Sequence, residues 1–424
     1  MRMMGKGSIA IVPSAREKIR NRDVVFPFRQ DSDFQYLTGF GEPDAVAVLV
    51  PGRKPADYIL FCRDRDPARE TWDGYRAGPE GAVRDYGAAD AFPISDLDEI
   101  LPGLIESCDR VYYTMGVDAG FDRRMTGWLN ELRAKGRAGG RTPEEFVALE
   151  HLLHDLRLFK SQREIGMMKR AAKISVEAHR RAMHRARPGV YEYEVEGEML
   201  SHFRGNGTRE AYGSIVGSGA NSCVLHYVQN DRRMEDGDLL LIDAGCEYEC
   251  YASDITRTFP VNGRFTTEQR AIYDIVLAAQ KAAIEKCRPG QRFNAPHEET
   301  VKVITRGLAK LGILKGSPPA KLIRNGTYKK FYMHRAGHWL GLDVHDVGDY
   351  KVAGQWRELE PGMALTVEPG IYIPPGTRGV AKKWWGIGVR IEDDVLVTRK
   401  GPEVLTRALI KDPDDIEAWM QKAA

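Results

Sequence analysis

The 424-residue sequence lacks an excess of charge of either sign, which limits the partners that it is expected to bind. It has 62 Lys and Arg residues against 60 Asp and Glu residues, a formal net charge of +2. A protein that binds nucleic acid or anionic membranes usually presents a strongly basic surface. We therefore expect neither nucleic acid nor a membrane among its partners.

Long apolar runs are also missing. No stretch approaches the roughly 18 unbroken apolar residues typical of a membrane-spanning helix. The opening residues, 1–20, include basic side chains, but their apolar run is too short for the core of a secretory signal. These absences predict a soluble, cytoplasmic protein.

Cysteine pairs and common cofactor motifs are absent as well. The six cysteines show no CxxC spacing, and the chain is far larger than a disulfide scaffold. HExxH, the helical zinc signature, does not occur. IVGSGANS (215–222) contains GxG but lacks the third glycine of a dinucleotide site, so it indicates a tight loop.

Strand-like and helix-like segments alternate in the first part of the chain. AVAVLV (45–50), YILFCR (58–63) and RVYYTMGV (110–117) have strand composition, and PISDLDEILPGLIES (93–107) is typical of a helix. This alternation predicts an α/β domain. Since a domain commonly has about 150 residues, we expect two domains, residues 1–157 and 158–424.

The second part begins with a helix-like segment, residues 159–186, with Ser161 placed to cap its start. Two further helical runs, 267–287 and 295–314, separate two blocks of strand-like sequence. Each block carries part of an acidic set. The arrangement predicts an α+β fold in which a sheet supplies side chains on its concave face and helices pack on its outer face.

The acidic set lies within or beside apolar segments, where isolated charges are unfavourable. Its members, with one histidine, are Asp243 (LLLIDAG), Asp254 (YASDITRTFPV), His338 (MHRAGHWLGLDVH), Glu368 (ALTVEPGIYIP) and Glu392 (GVRIEDDVLV). Four carboxylates and one imidazole brought together would raise their own pKa values, whereas two divalent cations would balance the four negative charges. The set therefore predicts a metal site.

Asp243 and Asp254 are expected to face each other across a hairpin. If the chain reverses near Tyr248 and Glu249, residue 243 lies opposite residue 254, with Cβ atoms about 5 Å apart. Two like charges at that distance destabilise a hairpin unless a cation compensates them. The alternative is that one aspartate serves turn chemistry at a strand end.

The other members also have simpler interpretations when each is taken alone. A lone histidine is more often structural than a ligand, but His338 is one of three histidines within twelve residues. Gly337 and Gly341 favour strand and loop over helix there. Each glutamate alone fits an edge-strand surface charge. Arg390, two residues before Glu392 on the same strand face, would orient a carboxylate.

The donor types indicate which metal would bind. Oxygen-rich ligation with a single imidazole favours manganese, with cobalt or zinc as substitutes. Two such ions about 4 Å apart would hold a bridging hydroxide and polarise a substrate carbonyl. The sequence therefore predicts a metal-dependent hydrolase.

At these segments the chain resembles the Xaa-Pro aminopeptidases (aminopeptidase P) of the pita-bread metallopeptidases, family M24, over nearly its whole length. FPFRQDSDFQYLTGF (26–40) is similar to the family's amino-terminal domain, and IDAG, DITRTF, HWLGLDVHD, VEPG and RIEDD match its five metal-ligand segments in order. The resemblance implies a creatinase-like, ribonuclease H-like α/β domain followed by a pita-bread domain with a curved antiparallel sheet. It also implies that the five residues of the set hold two manganese ions.

The resemblance implies further roles around this site. His226, His334 and His345 would orient the scissile carbonyl or move protons, and Glu368 would carry a proton to the leaving nitrogen. Arg390, Tyr212 and Tyr372 match support positions near the substrate. Trp72 is a candidate to reach a neighbouring subunit's site in a homodimer or homotetramer. The HRAG and KKWW stretches depart from the family pattern, which leaves the outer contacts of the pocket open.

The implied reaction is removal of the amino-terminal residue from peptides that have proline in the second position. A prolidase, which cleaves only Xaa-Pro dipeptides, shares the metal set and remains an alternative. A non-catalytic binding protein of the same fold would be expected to have lost ligands, and this chain keeps all five types.

Overall fold

Buried strands form the centre of the first unit of the chain, Met1–Asp155. The computed structural model describes residues 1–106, 108–138 and 140–422. The strands of this unit are β1 Ser8–Pro13, β2 Ile19–Asn21, β3 Val24–Val25, β4 Val46–Leu49, β5 Tyr58–Cys62, β6 Asp90–Pro93, β7 Arg110–Tyr112 and β8 Glu145–Val147. Its helices are α1 Ser32–Thr38, α2 Pro67–Asp73, α3 Gly78–Tyr86, α4 Leu97–Ile105 and α5 Ala119–Ala134, and α6 Glu150–Leu158 crosses its end.

Six of these strands make one mixed sheet in the order β6-β5-β4-β1-β7-β8. Strand β1 is antiparallel to β4 and parallel to β7. Its side chains alternate between two cores: Ile9 and Ile11 pack with residues of α4 and α5, whereas Ala10 and Val12 pack with residues of α1 and α3. A sheet covered by helices on both faces confirms the predicted α/β domain. Residue 107, the end of the helix predicted at 93–107, lies outside the described residues.

The second unit is Leu156–Ala424. Its strands are β9 Arg209–Glu210, β10 Ile215–Ser218, β11 Leu239–Asp243, β12 Cys246–Tyr248, β13 Tyr251–Ala252, β14 Thr256–Pro260, β15 Lys351–Val352, β16 Gln355–Trp356, β17 Ala364–Val367, β18 Gly370–Ile373, β19 Ile387–Arg390, β20 Asp393–Thr398 and β21 Gly401–Val404. Its helices are α7 Gln162–Arg185, α8 Glu192–Gly205, α9 Thr267–Ile284, α10 Ala295–Lys310, α11 Pro319–Arg324 and α12 Pro413–Gln421.

Helix starts in this unit follow from local sequence. Ser161 and Glu164 form a reciprocal capping box at the start of α7, as the sequence predicted for Ser161. Thr266 and Gln269 form the same motif at α9. Among the described residues, no helix has both the length and the apolar character needed to cross a bilayer.

Antiparallel strands position the acidic set: Asp243 ends β11, and Asp254, Glu368 and Glu392 lie between strands. The sheets are β10-β11-β14, β17-β20-β21 and β18-β19. Backbone hydrogen bonds join them, including one of 3.0 Å from the Glu392 amide to the Thr256 carbonyl. The apolar core of this unit combines strand residues such as Ile242 and Phe259 with helix residues such as Val276. These features confirm the α+β fold with a curved antiparallel sheet and helices packed against it.

The predicted hairpin forms, but its register was wrong by two residues. Asp243 lies opposite Thr256, and Tyr248 lies opposite Tyr251. The two turn residues are therefore Glu249 and Cys250, which have φ values of 51° and 67°. This left-handed conformation at two successive residues is the geometry of a tight type I′ hairpin turn, which sequence alone did not indicate because neither residue is glycine or asparagine.

Candidate metal centre

Three of the five predicted ligands come close enough to share one ion. Ligand atoms of Asp254, His338 and Glu392 all lie within 4.8 Å of one another. Asp254 follows the hairpin turn, between β13 and β14, and Glu392 lies between β19 and β20. His338 lies in an extended segment, as predicted, and its ring is mostly buried. Three segments far apart in sequence therefore converge on this point.

Asp243 joins the cluster through Tyr212. The Tyr212 hydroxyl lies 2.7 Å from Oδ1 of Asp243 and 2.5 Å from Oδ1 of Asp254. A phenol carries one proton, so it can donate to only one of these carboxylates at a time. The contact of the Tyr212 hydroxyl oxygen with the second carboxylate then has no proton of its own. That contact is favourable only if a further proton or a cation lies between the two aspartates.

His338 presents one nitrogen to the carboxylates. Its Nδ1 lies 2.9 Å from the carbonyl oxygen of Trp339, so Nδ1 is the protonated nitrogen. Its Nε2 then points at Asp254 Oδ2, 3.4 Å away, and Glu368 Oε1, 3.8 Å away. A histidine whose outer nitrogen donates to a backbone carbonyl is the usual arrangement for a metal ligand. Glu368 thereby belongs to the same cluster.

Arg390 orients the acidic cluster from one side. Its guanidinium donates to Asp243 Oδ2 at 2.7 Å and to the Thr256 hydroxyl at 3.1 Å. That hydroxyl in turn donates to Glu392 Oε2 at 2.6 Å. Arg390 is 3% exposed, so its single positive charge acts in a weakly screened environment. It cannot balance four carboxylates.

The pKa shifts record this shortage of positive charge. Burial and the neighbouring carboxylates raise the pKa of Glu392 well above its usual value and that of Glu368 to about 7. Burial also raises the pKa of Asp243, partly offset by Arg390. Burial would raise the pKa of Asp254 too, but its hydrogen bond to His338 lowers it below the ordinary value. The raised pKa values of Glu392, Glu368 and Asp243 agree with the repulsion expected from the sequence, and Asp254 differs because of His338.

The three further histidines differ in their environment. His226 and His345 are exposed, whereas His334 is mostly buried. The His345 ring packs edge-on against His338, with centroids 4.3 Å apart. Burial, followed by the charge of Arg390, lowers the pKa of His334 to about 3, so this ring is neutral. Burial, followed by the charge of His338, lowers the pKa of His345. The charge of His226 makes a smaller contribution at both His334 and His345, so the three imidazoles lie within electrostatic reach of one another.

Tyr372 lies behind His334 and is completely buried. Its hydroxyl accepts from Arg390 at 3.0 Å and lies 2.9 Å from His334 Nε2. Since His334 Nδ1 donates to the Arg335 carbonyl at 2.7 Å, Nε2 is the acceptor for the tyrosine proton. Tyr372 therefore supports His334 and has no accessible surface for a substrate.

Trp72 belongs to the first unit, on α2, where it is 86% exposed. The five predicted metal ligands all belong to the second unit. Tyr212 is half-buried and uses its hydroxyl on two carboxylates, as described above.

Sequence reasoning missed several side chains that support the cluster. Thr256 bridges Arg390 and Glu392, and Asp394 accepts from the Asp254 amide at 3.1 Å. The Thr366 hydroxyl accepts from the His338 amide at 3.1 Å. Thr256 and Asp394 fall inside the DITRT and RIEDD segments, but a threonine in a strand has an ordinary explanation in β-propensity. No spacing rule distinguished them.

The donor set fits divalent metal ions. Four carboxylates and one imidazole nitrogen are oxygen-rich ligands, and all five side chains are at least mostly buried. Positive charge at the centre of the cluster would replace the proton through which His338 Nε2 interacts with Asp254, and it would compensate the aspartate pair that shares one phenolic proton. A curved antiparallel sheet that presents such a centre defines the molecule as a metallohydrolase.

Comparison with known sequences identifies the family. The chain belongs to metallopeptidase family M24, whose profile matches residues 166–399. Residues 1–112 match the N-terminal domain of aminopeptidase P. The two profiles match separate parts of the chain, and the enzyme class is that of the metal-dependent peptidases.

Individual relatives cover almost the whole chain. It is 46% identical to the Xaa-Pro aminopeptidase of Escherichia coli (strain K12), an alignment covering 99% of this chain and 95% of that protein. Identity to Xaa-Pro aminopeptidase 3 of Homo sapiens is 36%, covering 99% and 82%. The solved structure of Pseudomonas aeruginosa aminopeptidase PepP superposes with a TM-score of 0.98 at 60% identity, covering 100% and 96%. A zinc-substituted E. coli aminopeptidase P in complex with product gives 0.96 at 45% identity, covering 99% and 96%.

Proposed function

We propose that this protein is a metal-dependent Xaa-Pro aminopeptidase, which removes the amino-terminal residue from peptides with proline in the second position. The observation that carries the proposal is the convergence of Asp254, His338 and Glu392 within 4.8 Å, with Asp243 and Glu368 beside them. The names of the relatives support the aminopeptidase activity over the prolidase alternative.

Two divalent ions, which we infer to be manganese, would be held by Asp243, Asp254, His338, Glu368 and Glu392. Bound there, the metal would supply Lewis acidity toward the scissile carbonyl and toward water at neutral pH. Zinc or cobalt would be accepted as substitutes, because the ligand set is mainly oxygen with one imidazole.

The residues around the metal ligands have separate tasks in this proposal. Glu368 carries a proton toward the leaving nitrogen, which departs from proline as a secondary amine and needs protonation. Neutral His334, held by Tyr372, offers a fixed imidazole to the substrate. His226 and His345 are exposed and available to orient the carbonyl. Arg390 fixes Asp243.

The assembly and location of the enzyme are part of the proposal. We infer a homodimer or homotetramer in the cytoplasm, in which Trp72 contacts the substrate bound by a neighbouring subunit. The support for this contact is the high exposure of two aromatic side chains three residues apart, Trp72 at 86% and Tyr75 at 92%. Light scattering of the purified protein and cleavage of longer peptides by Trp72→Ala would test it.

Metal removal provides the decisive test of the proposed function. Dialysis against a chelator should abolish cleavage of an Xaa-Pro-Yaa tripeptide, and added manganese should restore it. An Xaa-Ala-Yaa tripeptide is the matched control and should remain intact. Cleavage of the proline tripeptide that is indifferent to metal would disprove the proposal, and turnover of Xaa-Pro dipeptides alone would establish the prolidase alternative.

A further inference from the structure

The loop that carries His226 is held by two buried side chains, Tyr227 next to His226 and Asn230 further along. The Asn230 amide accepts from the Val216 N–H at 3.0 Å and donates to the Ser214 carbonyl at 2.9 Å. It connects the 3₁₀ turn Gly219–Cys223 to residue 232, and its middle, residues 224–229, forms no helix or strand. Val224, His226 and Val228 are exposed. Among the described residues, Tyr227 is the only one in 224–229 whose side chain has a hydrogen-bond partner. The orientation of His226 therefore depends on its neighbour Tyr227.

Tyr227 reaches a buried carboxylate that is outside the metal centre. Its hydroxyl lies 2.8 Å from Oε2 of Glu192 and 3.0 Å from Oδ1 of Asp231. The Asp231 amide donates to the same hydroxyl at 3.3 Å. The ring is 8% exposed and belongs to the apolar cluster that contains Tyr372. Ring packing and the hydroxyl contact thus hold Tyr227 from two directions.

Glu192 connects both ends of this loop. It is completely buried at the first position of α8, where the helix dipole favours a negative charge. Oε1 accepts from the Ser218 amide at 2.6 Å and the Ser218 hydroxyl at 2.7 Å. Oε2 accepts from Tyr227 and from the Arg232 amide at 2.9 Å. One carboxylate therefore joins the entry, the middle and the exit of the loop.

We infer that Glu192 and Tyr227 are positioning residues that hold His226 toward the substrate. The inference rests on the proposed function, in which His226 contacts the substrate. The hydrogen bonds described above go to the loop and to none of the proposed metal ligands, so the two residues act on the orientation of His226 and leave metal binding unchanged. When the contact is lost, the loop opens and His226 spends less time in its working position.

Tyr227→Phe is the mildest test, because it keeps the ring and removes only the hydroxyl. Tyr273→Phe is the matched control: Tyr273 is buried as well, and its hydroxyl donates to the Lys411 carbonyl at 2.9 Å, away from this loop. We expect amide hydrogen exchange in peptides from 219–232 to become about tenfold faster in Tyr227→Phe and to stay unchanged in Tyr273→Phe. Metal content should be the same in both. Unchanged exchange in Tyr227→Phe would overturn the inference.

A double-mutant cycle connects the loop to catalysis. Tyr227→Phe should lower kcat for an Xaa-Pro-Yaa peptide by about fivefold to tenfold in the wild-type background and should have no further effect once His226 is alanine. An equal loss in both backgrounds would show that the hydroxyl supports the fold in general, which contradicts the inference. Inactivity of the metal-loaded wild type would instead reject the proposed function, and the exchange comparison would still decide whether the hydroxyl holds the loop.

Glu192→Gln provides a second variant. Either orientation of the glutamine amide places its NH₂ group against a backbone amide of Ser218 or Arg232, so one donor must lose its acceptor. We expect the same two effects as for Tyr227→Phe, with a larger increase in exchange. Exchange in 219–232 that stays at the wild-type rate would contradict the role assigned to this carboxylate.

Discussion

Among single side chains, Asp254 connects several parts of the metal centre. It contacts Tyr212 and His338 through its carboxylate and is fixed by Asp394 through its backbone amide. Its position between these groups makes it the residue whose charge most directly determines whether a cation is bound. Removing that charge while keeping the size of the side chain should separate metal binding from folding.

We therefore expect Asp254→Asn to fold, to lose metal and to lose more than about 100-fold in activity. Metal analysis of the purified variant and cleavage of an Xaa-Pro-Yaa peptide measure both effects. Asp274→Asn, on the exposed face of α9, is the control and should keep full metal content. Retained turnover by Asp254→Asn would rule out its role as a ligand.

His179 gives the second unit a pH-dependent stability. It is completely buried, and its Nε2 contacts the Ala244 carbonyl at 2.9 Å. Burial, with the charge of Arg257, lowers its pKa to about 4, from 6.5 in an exposed histidine. Above pH 6.5 both folded and unfolded chains carry the neutral ring. As the pH falls from 6.5 to 4, only the unfolded chain takes up the proton, so stability is lost.

The loss assigned to His179 should reach about 3 kcal/mol by pH 4. Urea unfolding at pH 7.5 and pH 5 measures most of it, and His179→Gln, which can still donate to the Ala244 carbonyl, should show a smaller difference between the two values. An identical difference in the variant would assign the pH dependence to other groups.

A site residue could be predicted from sequence when its polarity differs from that of the surrounding segment. A glutamate inside ALTVEPGIYIP or an aspartate closing LLLI contradicts the surrounding apolar pattern, so Glu368 and Asp243 were recognisable. Thr256 and Tyr227 fit their surroundings for ordinary reasons of packing and propensity. Their roles follow from contacts with residues more than thirty positions away, which a single sequence does not report.

His338 is positioned by the close approach of two backbone segments, one at Gly337 and the other at Thr366. A Cβ atom built on Gly337 would lie 2.0 Å from the carbonyl oxygen of Thr366. Around this point the Thr366 amide donates to the His338 carbonyl at 2.9 Å, and the Glu368 amide donates to the Ala336 carbonyl at 2.8 Å. The segment before His338 therefore pairs directly with the end of β17, and glycine is needed for that contact.

We expect Gly337→Ala to destabilise the second unit by roughly 1–3 kcal/mol, because the methyl group pushes the two segments apart. It should also weaken metal binding, since His338 and Glu368 lie on the separated segments. Denaturant unfolding and a metal titration provide the two measurements.

Gly166→Ala is the matched control for this substitution. Gly166 lies in α7, and a methyl group added there would meet no atom of another element within 4 Å. The same change at this position should stabilise the protein by roughly 0.5–1 kcal/mol, because alanine favours the helix. Equal effects at the two positions would contradict the packing argument.

Helices were easier to predict than strand pairing. Capping residues and apolar spacing lie within a few positions of each other, so α7, α9 and α10 were found from local sequence. The register of the hairpin depended on whether Glu249 and Cys250 adopt left-handed conformations, and that choice is made by the packing of the whole sheet. The predicted register differed from the observed one by two residues. Because side chains alternate with a period of two, the prediction still placed Asp243 and Asp254 on the same face of the hairpin.

The first unit of the chain has apolar clusters of its own. Clusters in Met1–Asp155 contain residues of that unit alone, and the proposed ligands all lie in the second unit. A ligand that binds only the folded form stabilises the unit that binds it. Metal should therefore act on one unit and leave the intrinsic stability of the other unchanged.

Hydrogen exchange with and without metal tests this expectation. At a free manganese concentration about 100 times the dissociation constant, the stabilisation should be about 2.7 kcal/mol in core strands such as β11. Strand β4 of the first unit should exchange at the same rate in both conditions. A uniform change in both units would show that they unfold as one.

The division into units illustrates what sequence can and cannot predict for the chain as a whole. Composition changes and a capped helix indicated two domains, and the family of each could be recognised from its segments. The number of subunits was not predictable, because exposed side chains such as Trp72 are compatible with several assemblies.

The tight turn at Glu249 and Cys250 also determines where the chain can change in length. Residues added at the tip can enlarge the turn and leave the pairing of β11 with β14 intact. A single residue inserted between the turn and Asp254 would instead turn Asp254 to the opposite face or create a bulge. Insertions and engineered tags should therefore be tolerated at the tip, and single insertions between the tip and Asp254 should be rare among active relatives.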